Sequence, residues 1–349
     1  MNNILEKVLE NQRISNKEGL QLLREGDLYQ LGMLADCVRK RKHPDPLVTY
    51  VIDRNINYTD ICISACKFCA FYKAPEDENG YVLSFEELEK KIEETKNLGG
   101  TQILLQGGLH PDLPLEFYED MLRFIKGYDI HIHGFSPPEI CHFVALSGLS
   151  IREVLERLMK AGLDTIPGGG AEILSDRVRK EMAPRKCSAD AWIQVMEEAH
   201  ILGMRTTATM MFGHIETLEE RIEHLDRIRS LQDRTQGFTA FIPWPFQPDN
   251  TVYADLPKTT PFEYLKMLAF SRIYLDNFDN IQASWVTQGP KIAEISLFFG
   301  ANDFGSTMIE ENVVAAAGVS FRLSEDEICK LVKGAGFGAR QRLMDYTLV

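Results

Sequence analysis

Before about Pro46 the apolar positions follow helical spacing. Ser15-Asn16-Lys17-Glu18 has the shape of a capping box, and Leu20, Leu22 and Leu23 follow it. Pro44 and Pro46 then break the pattern, which predicts a helical extension over residues 1–46. Beyond them short β-rich runs alternate with amphipathic stretches. Strands are predicted at 48–56, 102–105, 130–133, 165–166, 206–211, 238–242 and 281–286. Helices are predicted between them at 85–98, 115–125, 151–159, 189–202, 218–231 and 261–277. A weaker eighth unit falls near 302–308, with a helix at 325–332 and a late strand-like run at 341–348.

This alternation implies parallel βα units, and the expected fold is α/β, a (β/α)8 TIM-type barrel. No Gly- or Ser-rich linker divides the chain, so one barrel is expected, with its core over 47–285 and residues 286–349 completing it. Polar and glycine-rich residues collect just after the predicted strands: Gln106-Gly107-Gly108, Ser136-Pro137-Pro138-Glu139, Gly168-Gly169-Gly170-Ala171-Glu172, Gly213-His214, Pro243-Trp244-Pro245-Phe246-Gln247 and Thr287-Gln288-Gly289. Turn chemistry explains the glycines. It does not explain Glu139, Glu172, His214 and Gln247 recurring with them, and in such a barrel these loops build the active site.

Composition narrows the class of function. The 349 residues carry 38 Lys plus Arg against 51 Asp plus Glu, a formal charge of −13. That acid excess argues against a nucleic-acid binder, since phosphate contacts need clustered cations. The one basic run, Arg39-Lys40-Arg41-Lys42, reads as a solvated helix C-terminus. No apolar stretch approaches the ~18 residues that span a membrane. Met1-Asn2-Asn3 leads into a charged amphipathic helix rather than a signal peptide, so a cytoplasmic protein is expected.

Three of the seven cysteines crowd into Cys62-Ile63-Ser64-Ala65-Cys66-Lys67-Phe68-Cys69, whereas Cys37, Cys141, Cys187 and Cys329 are scattered. An odd, clustered set is unlike a secreted disulfide framework. Zinc usually takes four ligands, commonly from paired CxxC motifs, and no second pair follows. Thioredoxin-like chemistry would use Cys66 and Cys69 but leave Cys62 unexplained. Three thiolates on a four-iron cubane leave one iron open to a further chelator.

At these residues the chain resembles the radical S-adenosylmethionine (SAM) superfamily, whose CxxxCxΦC signature has an aromatic at Φ, here Phe68. The resemblance implies a [4Fe-4S] cluster on Cys62, Cys66 and Cys69, with SAM chelating the open iron and cleaved reductively to a 5′-deoxyadenosyl radical. It implies that Gln106, Gly107 and Gly108 hold the methionine amine through their backbone; the usual acid after the glycines is Leu109 here. Glu172 and Arg177 are candidate SAM ligands, or else a helix N-terminal acid and a surface arginine.

Asn57-Tyr58-Thr59, Cys69-Ala70-Phe71-Tyr72, Gln106-Gly107-Gly108-Leu109-His110-Pro111 and Pro167-Gly168-Gly169-Gly170-Ala171-Glu172 are similar to the radical enzymes of the futalosine route to menaquinone. Residues 241–248, 282–289 and 300–307 are closer to its cyclic dehypoxanthine futalosine synthases than to its aminofutalosine synthases, which stay as the alternative. The resemblance implies an oxidoreductase/cyclase that abstracts the C4′ hydrogen of dehypoxanthine futalosine, closes a spirocycle onto the benzoate ring, and returns one electron and one proton. His214 is the first candidate for the proton acceptor, with Glu139 and His133 as rivals. Trp244, Phe246 and Trp285 are candidate walls for an aromatic substrate, though such residues are also routine core. Gln247, Ser284 and Thr287 are candidate partners for ribose or carboxylate, and an unassigned Arg for the benzoate. An electron donor such as flavodoxin or ferredoxin is the expected partner. A non-catalytic iron–sulfur electron carrier and a zinc-stabilised barrel are the competing classes.

Overall fold

The computed structural model describes residues 1–349. Three helices open the chain, at Asn2–Leu9, Asn16–Glu25 and Leu28–Lys42. Ser15 and Glu18 close the capping box that their spacing predicts. The run 39–42 occupies the last turn of the third helix, where cations complement the helix dipole. The second and third of these helices pack against the later helix Pro261–Tyr274.

Seven parallel strands form one sheet in chain order: β2 (Asp53–Asn57), β3 (Gln102–Gln106), β4 (His131–Gly134), β5 (Thr165–Ile166), β6 (Arg205–Phe212), β7 (Phe238–Pro245) and β8 (Asn280–Ile281). Helices follow most strands, and the sheet curls into a partial α/β barrel around a continuous apolar core. A second parallel sheet joins β1 (Leu47–Val51), β9 (Asp303–Ser306) and β10 (Gly338–Gln341). Strand β1 runs into β2 with only Ile52 between them, and main-chain bonds from Ala283 to Asp303 and from Asn302 to Ile281 tie β8 to β9. The smaller sheet therefore stands across the gap between β8 and β2.

Three local expectations are corrected. The run 281–286 is not one strand: β8 ends at Ile281, and Trp285–Gln288 is a helical turn. Trp285 is turned so that its indole N–H reaches the Ser306 carbonyl at 2.9 Å. The last strand lies at 338–341, because its neighbour β1 ends its pairing at Tyr50 and the chain then turns back through an Arg342–Leu348 bridge. Finally, Ser136-Pro137-Pro138-Glu139 is not an open loop but the capping box of a helix at Pro137–Ser147, with proline in its first turn. No helix is long and apolar enough to cross a membrane.

Candidate active site

The three clustered cysteines lie in the loop after β2. Segment 73–82 folds back along this loop, pairing Lys73 with Ile61 and Val82 with Thr59. Cys66 is buried, and Cys62 and Cys69 are half-buried. Ser64 Oγ lies 3.2 Å from Cys66 Sγ. Burial pushes the Cys66 and Cys69 thiols up, so a thiolate there needs a positive partner. No three Cys, His, Asp or Glu side chains converge on one point, as a single zinc ion would require. Three sulfurs spread along one loop suit an iron–sulfur cluster that takes each thiolate on a different iron.

The glycine loop after β3 packs directly against this one. A Cβ on Gly108 would lie 2.1 Å from the Ile61 carbonyl oxygen, and one on Gly107 would lie 2.5 Å from the Tyr58 ring. Gly108 N–H donates to the Thr59 carbonyl at 2.9 Å, and Ile63 N–H to the Leu109 carbonyl at 3.0 Å. Three non-glycine residues in neighbouring loops hold left-handed backbone: Ala65 at φ +46°, Phe135 at +56° and Glu172 at +43°. Each such residue costs about 1–3 kcal/mol and persists only where its surroundings fix it.

The structure separates the acids and bases that the sequence groups together. Both oxygens of Glu139 are engaged: Oε2 takes the Ser136 N–H and hydroxyl at 2.7 and 2.6 Å, and Oε1 takes the Tyr58 hydroxyl at 2.7 Å and the Gly107 N–H at 3.1 Å. His214 is not brought to the cavity described below. Its Nε2 lies 3.0 Å from the Met211 carbonyl and its Nδ1 2.9 Å from Glu216, which Arg221 also holds. Arg177 turns outward to pair with Glu220 at 2.6 Å and to reach the Ile215 carbonyl. Glu172 does face inward, 2.6 Å from Lys186 Nζ. Burial pushes its carboxyl up, but Lys186, Arg179 and His214 together hold it below the usual value. The same ammonium sits 4.9 Å from the centre of the Phe68 ring.

A cavity of about 280 Å³ opens inside the barrel. Gln106, His133, Trp244, Ser284, Trp285 and Thr287 line it, as do Gly168 and Gly169. Phe246 and Gln247 do not. Phe246 is buried against His214 and Tyr253, and the Gln247 amide donates to the Pro245 carbonyl at 3.1 Å. Ser284 and Thr287 are 2.7 Å apart and bond each other. His133 Nδ1 lies 2.7 Å from the Thr165 hydroxyl, and burial, then His131 and Arg342, push its imidazole well below the usual pKa.

Sequence reasoning misses Asp53, Asn55, Gln102, Ser306, Glu311 and Arg342, all of which line the cavity. A signal was present: Asp53-Arg54-Asn55-Ile56-Asn57 is a strand whose five residues are all buried although four are polar. Buried polar residues in a barrel strand mark a lined interior. Arg342 pairs with Asp303, which also accepts the Thr49 hydroxyl at 2.7 Å.

Comparison with known proteins fits this arrangement. Residues 56–228 match the Radical SAM superfamily, and residues 235–349 match the CofH/MqnC C-terminal region. The chain is 46% identical over 348 residues to a protein of Halalkalibacterium halodurans named cyclic dehypoxanthine futalosine synthase, covering 99% of this chain and 94% of that one. It is 43% identical over 358 residues to a 5-amino-6-(D-ribitylamino)uracil–L-tyrosine 4-hydroxyphenyl transferase of Methanosarcina barkeri, covering 99% and 94%. The FeFe-hydrogenase maturase HydG of Carboxydothermus hydrogenoformans shares the fold, with a TM-score of 0.79 at 19% identity over 99% of this chain and 80% of that one. With 46% identity to the Halalkalibacterium halodurans relative over nearly its whole length, and a cysteine loop and a glycine loop packed together at the strand ends, the chain belongs to the radical SAM superfamily, among the proteins that carry the CofH/MqnC C-terminal region.

Proposed function

We propose that this radical SAM enzyme converts dehypoxanthine futalosine to cyclic dehypoxanthine futalosine in menaquinone biosynthesis, removing the C4′ hydrogen of the sugar and closing a ring onto the benzoate. The observation that carries the reading is the 46% identity to a relative of that name over 99% of the chain, which takes in every loop of the site. The [4Fe-4S] cluster and SAM, when bound, supply a 5′-deoxyadenosyl radical.

The chain's own residues do the rest. Cys62, Cys66 and Cys69 hold the cluster, with Lys186 placing a positive charge beside Phe68. The backbone of Gln106, Gly107 and Gly108 and the Glu172 carboxylate hold SAM where the two loops meet. Trp244 and Trp285 flank the aromatic ring of the substrate and keep water from it. Arg342, the one Lys or Arg side chain lining the cavity, faces the benzoate carboxylate. His133 is the acceptor assigned to the final proton, because of the three candidates it alone lines the cavity. Flavodoxin or ferredoxin in the cytoplasm is the proposed reductant. Residues 47–285 carry the cluster, SAM and aromatic-ring contacts, residues 286–349 close the cavity and add Arg342, and 1–46 lie outside it.

Anaerobic turnover with mass analysis tests the reading. Consumption of dehypoxanthine futalosine with release of 5′-deoxyadenosine is the expected result. Product that retains the adenosyl group would assign the chain to aminofutalosine synthase chemistry instead.

A further inference from the structure

Two neighbouring strands place an unusual set of oxygen atoms in the cavity wall. Asp53 and Asn55 lie two residues apart on β2 and point to the same side. Gln102, the first residue of β3, is paired in register with Asp53. Because all three precede the strand ends, they lie at the part of the cavity away from the cysteine loop. Asn55 is 5% exposed and Gln102 3%. The Gln102 amide donates to Asp53 Oδ2 at 2.8 Å, and the Ser306 hydroxyl donates to Asp53 Oδ1. Gln102 Oε1 and Asn55 Oδ1 have no partner in the protein.

A buried acceptor without a donor loses the hydrogen bonds it made to water and gains nothing in return. Two of them, on residues that line one cavity beside the Asp53 carboxyl group, form a wall short of donors. A carboxylate ligand would meet further acceptor oxygens on this wall and no donor to pair with. Hard cations prefer several carboxylates, and β2 and β3 offer this wall only Asp53, already holding two donors. Neutral O–H groups satisfy all of these atoms at once.

We infer that Asn55, Gln102 and Asp53 form the subsite that reads the sugar hydroxyls of the substrate, each ring hydroxyl donating to an amide or carboxylate oxygen. The inference rests on the substrate class proposed above. It divides the cavity into a hydroxyl-reading wall on β2 and β3 and an aromatic wall around Trp244 and Trp285. The sugar is thereby held in a fixed orientation, with its C4′ hydrogen toward the SAM side, as positioning for hydrogen transfer requires.

The test uses reconstituted enzyme with cluster and SAM but no reductant, so that ligand binds without turnover. Dehypoxanthine futalosine and its 2′,3′-dideoxy analogue are titrated against tryptophan fluorescence in the wild type and in the near-isosteric variants Asn55→Leu and Gln102→Leu. The wild type should bind the analogue about a hundredfold more weakly than the parent, and each variant should bind the parent about tenfold more weakly while its affinity for the analogue stays unchanged. Equal losses for both ligands, or a wild type that does not distinguish them, would overturn the subsite and leave the substrate assignment standing. Binding of neither ligand by the wild type would overturn both. Asn55→Ser, which keeps a small polar group, covers the case in which a leucine variant does not fold, and its discrimination should fall between those of the wild type and Asn55→Leu.

Discussion

Glu139 Oε1 accepts the Gly107 backbone N–H at 3.1 Å, so the carboxylate that caps one helix also fixes the glycine loop after the neighbouring strand. Glu139→Gln replaces one of its two acceptor oxygens with a donor and breaks this arrangement. The variant should assemble its cluster, bind SAM about tenfold more weakly, and lose about 1–3 kcal/mol of stability. Iron content, SAM titration and urea unfolding check this. If Glu139 were instead the proton acceptor, SAM binding and 5′-deoxyadenosine release would survive while cyclic product disappeared.

Gly108→Ala tests the packing of the two loops. The new methyl would meet the Ile61 carbonyl 2.1 Å away, backbone against backbone, and one loop must move. Overpacking of this kind costs about 1–3 kcal/mol. Cluster loading should fall, as read by iron and sulfide content. Gly334→Ala is the control: its nearest neighbour is the end of Glu294 at 3.4 Å, in a helix, so the change should be neutral or slightly stabilising.

Cys66→Ala should abolish cluster assembly and SAM cleavage while leaving the circular dichroism spectrum close to that of the wild type, because a small buried side chain is replaced by one smaller still. Cys141→Ala, a thiol outside the loop, should keep both activities. Iron analysis with a 5′-deoxyadenosine assay separates the two; radical cleavage retained by Cys66→Ala would remove Cys66 from the ligand set.

The cysteine loop and the order of strands were legible because their signals are local. Spacing within eight residues carries Cys62, Cys66 and Cys69, and alternation carries the βα units. The three proposed proton acceptors were not separable for the opposite reason. His133, Glu139 and His214 all follow or end strands, yet only tertiary contacts tell which is used up: Tyr58 and Gly107 engage Glu139 from other elements, and Met211 with Glu216 engages His214. The S-x-x-E box at Ser136 was legible in principle and gives Glu139 a helix-capping role. Arg342 was hidden because β10 reaches the cavity only through its pairing with β1, which lies 291 residues earlier at the Tyr50–Gln341 pair.

Acid stability follows from histidines that the fold keeps neutral. His200 sits between the Thr206 and Thr235 hydroxyls, both at 2.7 Å, and burial lowers its pKa to about 4. His224 takes the Leu174 N–H on Nδ1 at 3.0 Å, and burial, then Arg179, lower it to about 3. Both folded values lie below the ordinary 6.5, so the unfolded chain binds more protons between them. Stability is therefore complete above pH 6.5 and falls as pH drops toward 4, by about 1.4 kcal/mol per unit for each histidine. Glu216 adds a second limb: burial raises its carboxyl, but His214 and Arg221 bring it down to about 2, so its contribution is lost as pH falls through 4.5 toward 2. Urea unfolding of the metal-free protein should show the first slope between pH 6.5 and 4.5. His224→Gln, which keeps an acceptor for Leu174, should reduce that slope by about 1.4 kcal/mol per unit. A wild type whose stability stays flat over this interval would mean that water reaches these imidazoles and that the barrel wall around β6 is looser than its packing requires.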